Sequence, residues 1–454
     1  MYLPESLTIK NNRLSMESCD LSELASSVGT PCFVISEAQI RTNVARYQEA
    51  FSSQWTEGEF VLMPAFKACP IIAIRRLLTE LGCGADVFGP GELEGVLRGG
   101  VSGPEISVNG SIKDRELLEQ AAKVGARVVL DSPQELEWAN EIGRASGCVI
   151  PVLFRIKPYL ENLDMMSDFV PDMSIRELTQ IIKYGIPSSE VAPMGPRSLE
   201  MTHVQPVGVH VHMGRHSKSP EVWSSWVQHC VYGIKQLSDS MDGWTPSIID
   251  LGGGIASFPD RDTDVAVTGY PAPELEELAA TICQTLRNTL AEVNIPAAGI
   301  RLELEPGRGL HSDTGVHLTK VRNIKEEHNN LSRKWIELDT SEVFLGVGSI
   351  NQSPPFDFLV ANKAGQANTE TVDLVGKTCN AEMLYLQVET PSIEREDTIV
   401  LLHTGAYAEP SAANFNALPR PGTVLVNGES FELIRRHETV DDVYQRDAVP
   451  ARFA

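Results

Sequence analysis

Val61-Leu-Met-Pro-Ala-Phe-Lys-Ala-Cys-Pro70 is an apolar, strand-like run that ends on a single lysine, Lys67, and Pro70 then opens a helical pattern. A cation at the C-terminal tip of a buried strand costs several kcal/mol unless it is paired or chemically modified. One reading lets the ammonium reach solvent past the strand end. The other has the amine condense with a carbonyl cofactor.

The sequence on either side of this run repeats its form. Strand-like runs are expected at 60–66, 84–88, 105–109, 127–131, 149–156, 206–213, 247–251 and 301–305, with helical patterns between them, among them 70–81, 174–184 and 220–239. This alternation predicts a (β/α)8 barrel, with a doubly wound open sheet as the alternative. Barrel chemistry sits at the C-terminal strand ends. Those ends carry Lys67, Asp86, Asn109, Asp131, Arg155, His212, Gly252-Gly253-Gly254 and Glu305. After Arg308 the pattern changes to short β-rich runs separated by Gly, Pro and Asn turns, which predicts a mostly antiparallel β domain. The expected division is residues 1–30 as a segment joining the β domain, 31–311 as the barrel and 312–454 as the β domain.

Composition narrows the function. Among 454 residues, 38 Lys and Arg face 61 Asp and Glu, a net charge of −23. Such a surface repels phosphate backbones and anionic lipids, so nucleic-acid and membrane partners are not expected. The eight cysteines are scattered with no CxxC pair, fitting free thiols in a reducing compartment. The first residues have no basic region followed by an apolar run, and no stretch reaches the roughly 18 apolar residues of a membrane span. The expected location is cytoplasmic.

Asp250-Leu-Gly-Gly-Gly-Ile255 brings backbone N–H groups close to a ligand, a phosphate cradle or simply a tight loop. Glu303-Leu-Glu-Pro-Gly-Arg308 places two carboxylates on one strand face. Glu305 is suited to keep a pyridine nitrogen protonated, or to pair with Arg308. His210 and His212 share a face as well. A metal pair has no third ligand of suitable spacing, so no metal is expected, and His212 is placed to lie against a planar cofactor. Tyr407, after Gly405-Ala406 at a strand end, is a candidate phosphate donor. Cys379 stands alone between β runs.

Together these residues resemble the fold-type III pyridoxal-phosphate decarboxylases, the family of diaminopimelate, ornithine and arginine decarboxylases. The resemblance runs from about residue 30 to 430 with the motifs in order. It implies pyridoxal 5′-phosphate on Lys67 and an acidic segment containing Asp86 and Glu92. It implies Arg155 ending the fifth strand and His212 stacked on the ring. Gly252, Gly253 and Gly254 with Gly307 and Tyr407 match the phosphate site, and Glu305 matches the partner of the ring nitrogen. Arg308 is a further cofactor or substrate contact. Cys379, lent by a neighbouring subunit, matches the proton donor, and a homodimer with shared active sites is implied.

Four departures stand out. Cys379-Asn380-Ala381 replaces Cys-Glu-Ser, the Arg-Pro-x-x-Tyr element is absent after Asp339, Arg215 replaces a serine, and Cys69 replaces the asparagine after Lys67-Ala68. With Arg215, Asn380 and Arg308 taken as substrate contacts, the expectation is α-decarboxylation of an amino acid or amino-acid conjugate other than diaminopimelate. The alternatives are an amino-acid racemase or epimerase on the same barrel, and an inactive homologue that acts as a binding protein.

Overall fold

The computed structural model describes residues 3–165, 173–212, 219–257, 273–329, 332–346 and 356–453; Arg215 lies outside them. The chain forms two compact units, Met1–Thr42 with His311–Ala454, and Asn43–Leu310. Among the described residues no helix is long and apolar enough to cross a membrane.

The unit Asn43–Leu310 holds the expected barrel. Its strands are β1 (Phe60–Leu62), β2 (Ala85–Val87), β3 (Ile106–Val108), β4 (Arg127–Leu130), β5 (Ile150–Arg155), β6 (Val204–His210), β7 (Ile248–Asp250) and β8 (Arg301–Leu304). They form one parallel sheet in the order β1-β8-β7-β6-β5-β4-β3-β2. The Ala65–Asp86 bridge and the Gly84 N–H bonded to the Leu62 carbonyl bring its two ends together. Every residue of β2, β3 and β4 is buried. A parallel strand covered on both faces reads as a continuous apolar run rather than as alternation.

The lysine run departs from the expected strand. β1 ends at Leu62 and Phe66–Ala68 is a 3₁₀ turn, so Lys67 stands on a turn beyond the strand. Pro64 lacks an N–H and interrupts the ladder. The chain still follows β8, because the Met63 N–H donates to the Leu304 carbonyl and the Ala65 N–H to that of Pro306. A second difference is the helix Ser188–Leu199, which contains Pro193 and Pro196. Two missing donors argue against a helix in the sequence; burial of Val191, Met194 and Ser198 holds it in the fold.

The other unit is β-rich. Its main sheet runs Met383–Thr390, Glu370–Val375, Arg333–Leu338, Gly315–Glu327, Cys32–Ser36, Gly422–Asn427, Ser430–Arg435, with Phe358–Val360 and Thr398–Leu401 branching from it. Most pairings are antiparallel. Cys32–Ser36 lies inside this sheet, antiparallel to Gly315–Leu318 and parallel to Gly422–Val426. The strand Met383–Thr390 has no clear sequence signature, because most of its residues are exposed or half-buried.

Candidate active site

The C-terminal mouth of the barrel gathers most of the predicted residues. Lys67 Nζ lies 2.8 Å from Asp86 Oδ2, with the lysine side chain 46% exposed and the aspartate 3%. Burial works to raise the Asp86 pKa, but Lys67 and Asn109 hold it below the usual carboxylate range. Glu92, on the helix Pro90–Arg98, accepts the Phe88 N–H at 2.8 Å. Burial, with the nearby Asp86 charge, raises its pKa.

Asn109 follows β3 and donates to Asp86 Oδ1 and Glu305 Oε1, both at 2.7 Å. His210 Nε2 lies 3.2 Å from Glu305 Oε2. Burial and the charge of Asp86 push Glu305 up to about 8, against the opposing pull of Lys67 and Arg155. Burial also lowers His210 to about 4, so it is neutral. Glu303, one inward position deeper, pairs with Arg127 and, at 2.8 Å, with Arg301 Nε. Glu303 in β8 and Glu305 just beyond it thus have separate partners.

His212 accepts the Gly253 N–H on Nδ1 at 3.1 Å, which leaves Nε2 as its protonated nitrogen. Trp226, stacked on Trp223 at 5.1 Å, meets the imidazole edge-on at 6.3 Å. Burial and the cations Arg155 and Lys67 keep His212 neutral. His210 and His212 are therefore turned to different partners, with ring centroids 6.5 Å apart, and do not form the metal pair considered from the sequence.

The glycine loop is tightly set. Gly252 and Gly254 have φ of +68° and +100°. A Cβ at Gly252 would stand 2.6 Å from the Val211 carbonyl oxygen, and one at Gly253 2.5 Å from that of Glu305. Such contacts exclude any other residue type and leave the backbone itself as the surface presented to a ligand. Gly307 and Arg308, both buried, follow β8. Arg155, at the end of β5, lies 3.7 Å from Asp131 and 5.0 Å from the Tyr184 ring.

The sequence reading missed a buried pair beneath this mouth. Lys113 Nζ contacts Glu135 Oε2 at 2.9 Å and donates to the Gly110 carbonyl at 2.6 Å. Glu135 also accepts the Asp131 N–H at 2.8 Å, tying the β3 and β4 loops together. Each residue stands four positions beyond a strand-end residue, Asn109 or Asp131; in the sequence both look like ordinary charges at a helix start.

Cys379, Asn380 and Tyr407 belong to the other unit. Cys379 is exposed; its N–H donates to Asn416 Oδ1 at 3.0 Å, and Asn416 Nδ2 approaches its Sγ at 3.3 Å. Asn380 is also exposed. Tyr407 adopts φ +65°. All eight cysteines are free thiols.

The barrel mouth fits a pyridoxal cofactor. It offers an amine beside a carboxylate, a buried carboxyl poised to share a proton with a ring nitrogen, a fixed imidazole and a side-chain-free loop. Asn109 Oδ1 and His210 Nδ1 are buried there without a hydrogen-bond partner among the described residues, so polar capacity is left over.

Comparisons with known proteins agree. Residues 37–312 match the family described as "Pyridoxal-dependent decarboxylase, pyridoxal binding domain". The chain is 30% identical over 453 residues to a diaminopimelate decarboxylase of Methanocaldococcus jannaschii, covering 98% of this chain and 97% of that protein. It is 28% identical over 442 residues to a diaminopimelate decarboxylase of Archaeoglobus fulgidus, covering 96% and 97%. The solved structure of the M. jannaschii diaminopimelate decarboxylase in co-complex with L-lysine superposes with a TM-score of 0.87 at 29% identity, covering 100% of each chain. The expectation of a substrate other than diaminopimelate is not borne out, since these relatives are named diaminopimelate decarboxylases. The cofactor is pyridoxal 5′-phosphate, and the chain belongs to the pyridoxal-dependent decarboxylases, a family of carboxy-lyases.

Proposed function

We propose that this decarboxylase removes an α-carboxylate from diaminopimelate or an amino acid of that class, with the cofactor held at the barrel mouth on Lys67. The observation that carries the placement is the hydrogen-bonded run from the exposed Lys67 through the buried Asp86, Asn109, Glu305 and His210. The relatives' names support the substrate class, as does the bound L-lysine, which is what diaminopimelate becomes on losing one carboxylate. Asn380 is neutral, and Glu382, two positions on, is buried, its Oε1 accepting the hydroxyls of Ser341 and Thr378.

When bound, pyridoxal phosphate supplies an electron sink for the pair released as the Cα–carboxylate bond breaks. Asp86 orients the Lys67 amine. Glu305 holds a proton at the ring nitrogen, and His212 presents a neutral imidazole whose tautomer and edge are fixed. Gly252, Gly253, Gly254 and Gly307 bind the phosphate, and Arg155 and Tyr407 are further cofactor contacts. Arg308 and Arg215 supply cations for anionic groups. Cys379 Sγ returns a proton to Cα.

CO2 release from meso-diaminopimelate, lysine and ornithine tests the substrate class. The expected kcat/KM for diaminopimelate is at least about tenfold above the other two. A higher value for lysine or ornithine would transfer the assignment to that amino acid.

The proposed assembly is a homodimer with shared sites. Cys379 is exposed on its own unit, and nearby Met383, Leu386 and Phe415 are exposed apolar side chains of 57%, 50% and 41% accessibility, suited to a partner surface. Mixing Lys67→Ala with Cys379→Ala chains should restore roughly a quarter of activity, because half of randomly paired dimers are mixed and each then has one intact site. No recovery after proven subunit exchange would rule out sharing.

A further inference from the structure

Asp86 and Glu305 are two carboxylates buried at one barrel mouth, 2% and 5% exposed. Lys67 Nζ contacts Asp86 Oδ2, and His210 Nε2 contacts Glu305 Oε2. Between their other oxygens stands Asn109, 4% exposed, whose single amide nitrogen donates to both at 2.7 Å. The reverse amide orientation would aim an oxygen at the ionised Asp86 carboxylate, so the chemistry of the neighbours fixes this one. The cost is visible in the same side chain: Asn109 Oδ1 is buried with no partner among the described residues. An amide that gives up its acceptor bond to spend both donors on carboxylates is an exception that calls for a reason.

Electrostatics supplies one. Two buried carboxylates this near each other resolve their repulsion by one of them taking up a proton. Lys67, Arg155 and His210 face the pair, together with Asp250, a further acid. The two N–H groups of Asn109 offer each carboxylate a hydrogen that cannot be transferred. We propose that Asn109 is a positioning residue that keeps Asp86 ionised beside Lys67 and leaves the Glu305 proton to be shared with the cofactor's ring nitrogen, so that Lys67 and the ring nitrogen each keep a carboxyl of their own. This inference rests on the cofactor placement proposed above. It also separates Asn109 from a packing role, because its effect runs through the proton at the ring nitrogen.

The test uses holoenzyme reconstituted with pyridoxal phosphate labelled with ¹⁵N in the ring, observed by solid-state NMR. In the wild type the ring nitrogen should give a protonated signal. In Asn109→Leu it should move toward the unprotonated range, while kcat falls on the order of 10²-fold with KM little changed, the scale of losing one preorganised donor. Asn109→Ser, which keeps one donor and little bulk, should fall between, and serves if the leucine variant does not fold. The double variant Asn109→Leu/Glu305→Gln should be no slower than Glu305→Gln alone, since both changes act on one proton. A ring signal identical to wild type in both Asn109 variants, or fully additive losses in the double variant, would overturn the inference and leave the placement standing. An unprotonated ring in the wild type would overturn both.

Discussion

Lys67→Ala is expected to abolish turnover, with kcat lower by about 10⁴-fold or more, the scale of removing a residue that reacts covalently. Borohydride reduction followed by peptide mapping should place the pyridoxyl group on Lys67 in the wild type and nowhere in the variant. The variant has a second effect, which must be separated from the first. Asp86 is 2.8 Å from Lys67 and almost fully buried, so alanine leaves a buried carboxylate without its cation. Breaking such a pair costs about 3–5 kcal/mol when both members are buried, and less here because the lysine side is 46% exposed. Lys67→Arg keeps the charge and removes the primary amine. It should therefore retain most of the stability and none of the label. A pyridoxyl group found on another lysine, or an active arginine variant, would remove Lys67 from the centre of the site.

Glu305→Gln is expected to lower kcat by about 10² to 10³-fold, because a neutral amide cannot hold a proton on the ring nitrogen through an opposite charge. Its effect on the cofactor-free protein should have the opposite sign. Burial pushes the Glu305 carboxyl from an ordinary 4.5 to about 8, so the folded state binds that proton more tightly than the unfolded chain does. The resulting stability is complete below about 4.5 and is lost as pH rises through about 8. Asp250, raised by burial and by Glu305, reinforces the trend. Denaturation of the cofactor-free protein across this range should show wild-type stability declining by several kcal/mol and a flatter profile in the variant. His210 sets the acid side: lowered to about 4 by burial, it costs stability as pH falls below 6.5 and it must take a charge. Parallel slopes for wild type and variant would show that Glu305 is not the group that titrates.

The barrel was legible in the sequence because its strands are buried on both faces and end on polar residues; the strand ends alone marked Lys67, Asp86, Arg155, His212 and Glu305 as candidates. The resemblance added a role for Cys379. The lysine turn was misread as strand because Pro64 breaks the ladder while the chain keeps its course beside β8. Helix Ser188–Leu199 was hidden by its prolines, and Met383–Thr390 by its exposure. Asn109 was noted at a strand end but given no role, since a double donor is a property of two acceptors that lie 23 residues before it and 196 after. The expectation built on Asn380 was not borne out, because it set a single side chain against a resemblance that runs the length of the chain.

The strand Cys32–Ser36 has a consequence for how the polypeptide comes into being. Its neighbours in the sheet, Gly315–Leu318 and Gly422–Val426, are synthesised only after the whole barrel segment. During translation the barrel can close while this early strand still lacks both hydrogen-bonding edges. Its five residues, Cys-Phe-Val-Ile-Ser, are all buried in the finished sheet and carry no charge to discourage pairing with another chain. Nascent or prematurely terminated chains therefore expose a sticky edge until the last third of the protein emerges, which makes the time between those two events the interval of greatest aggregation risk.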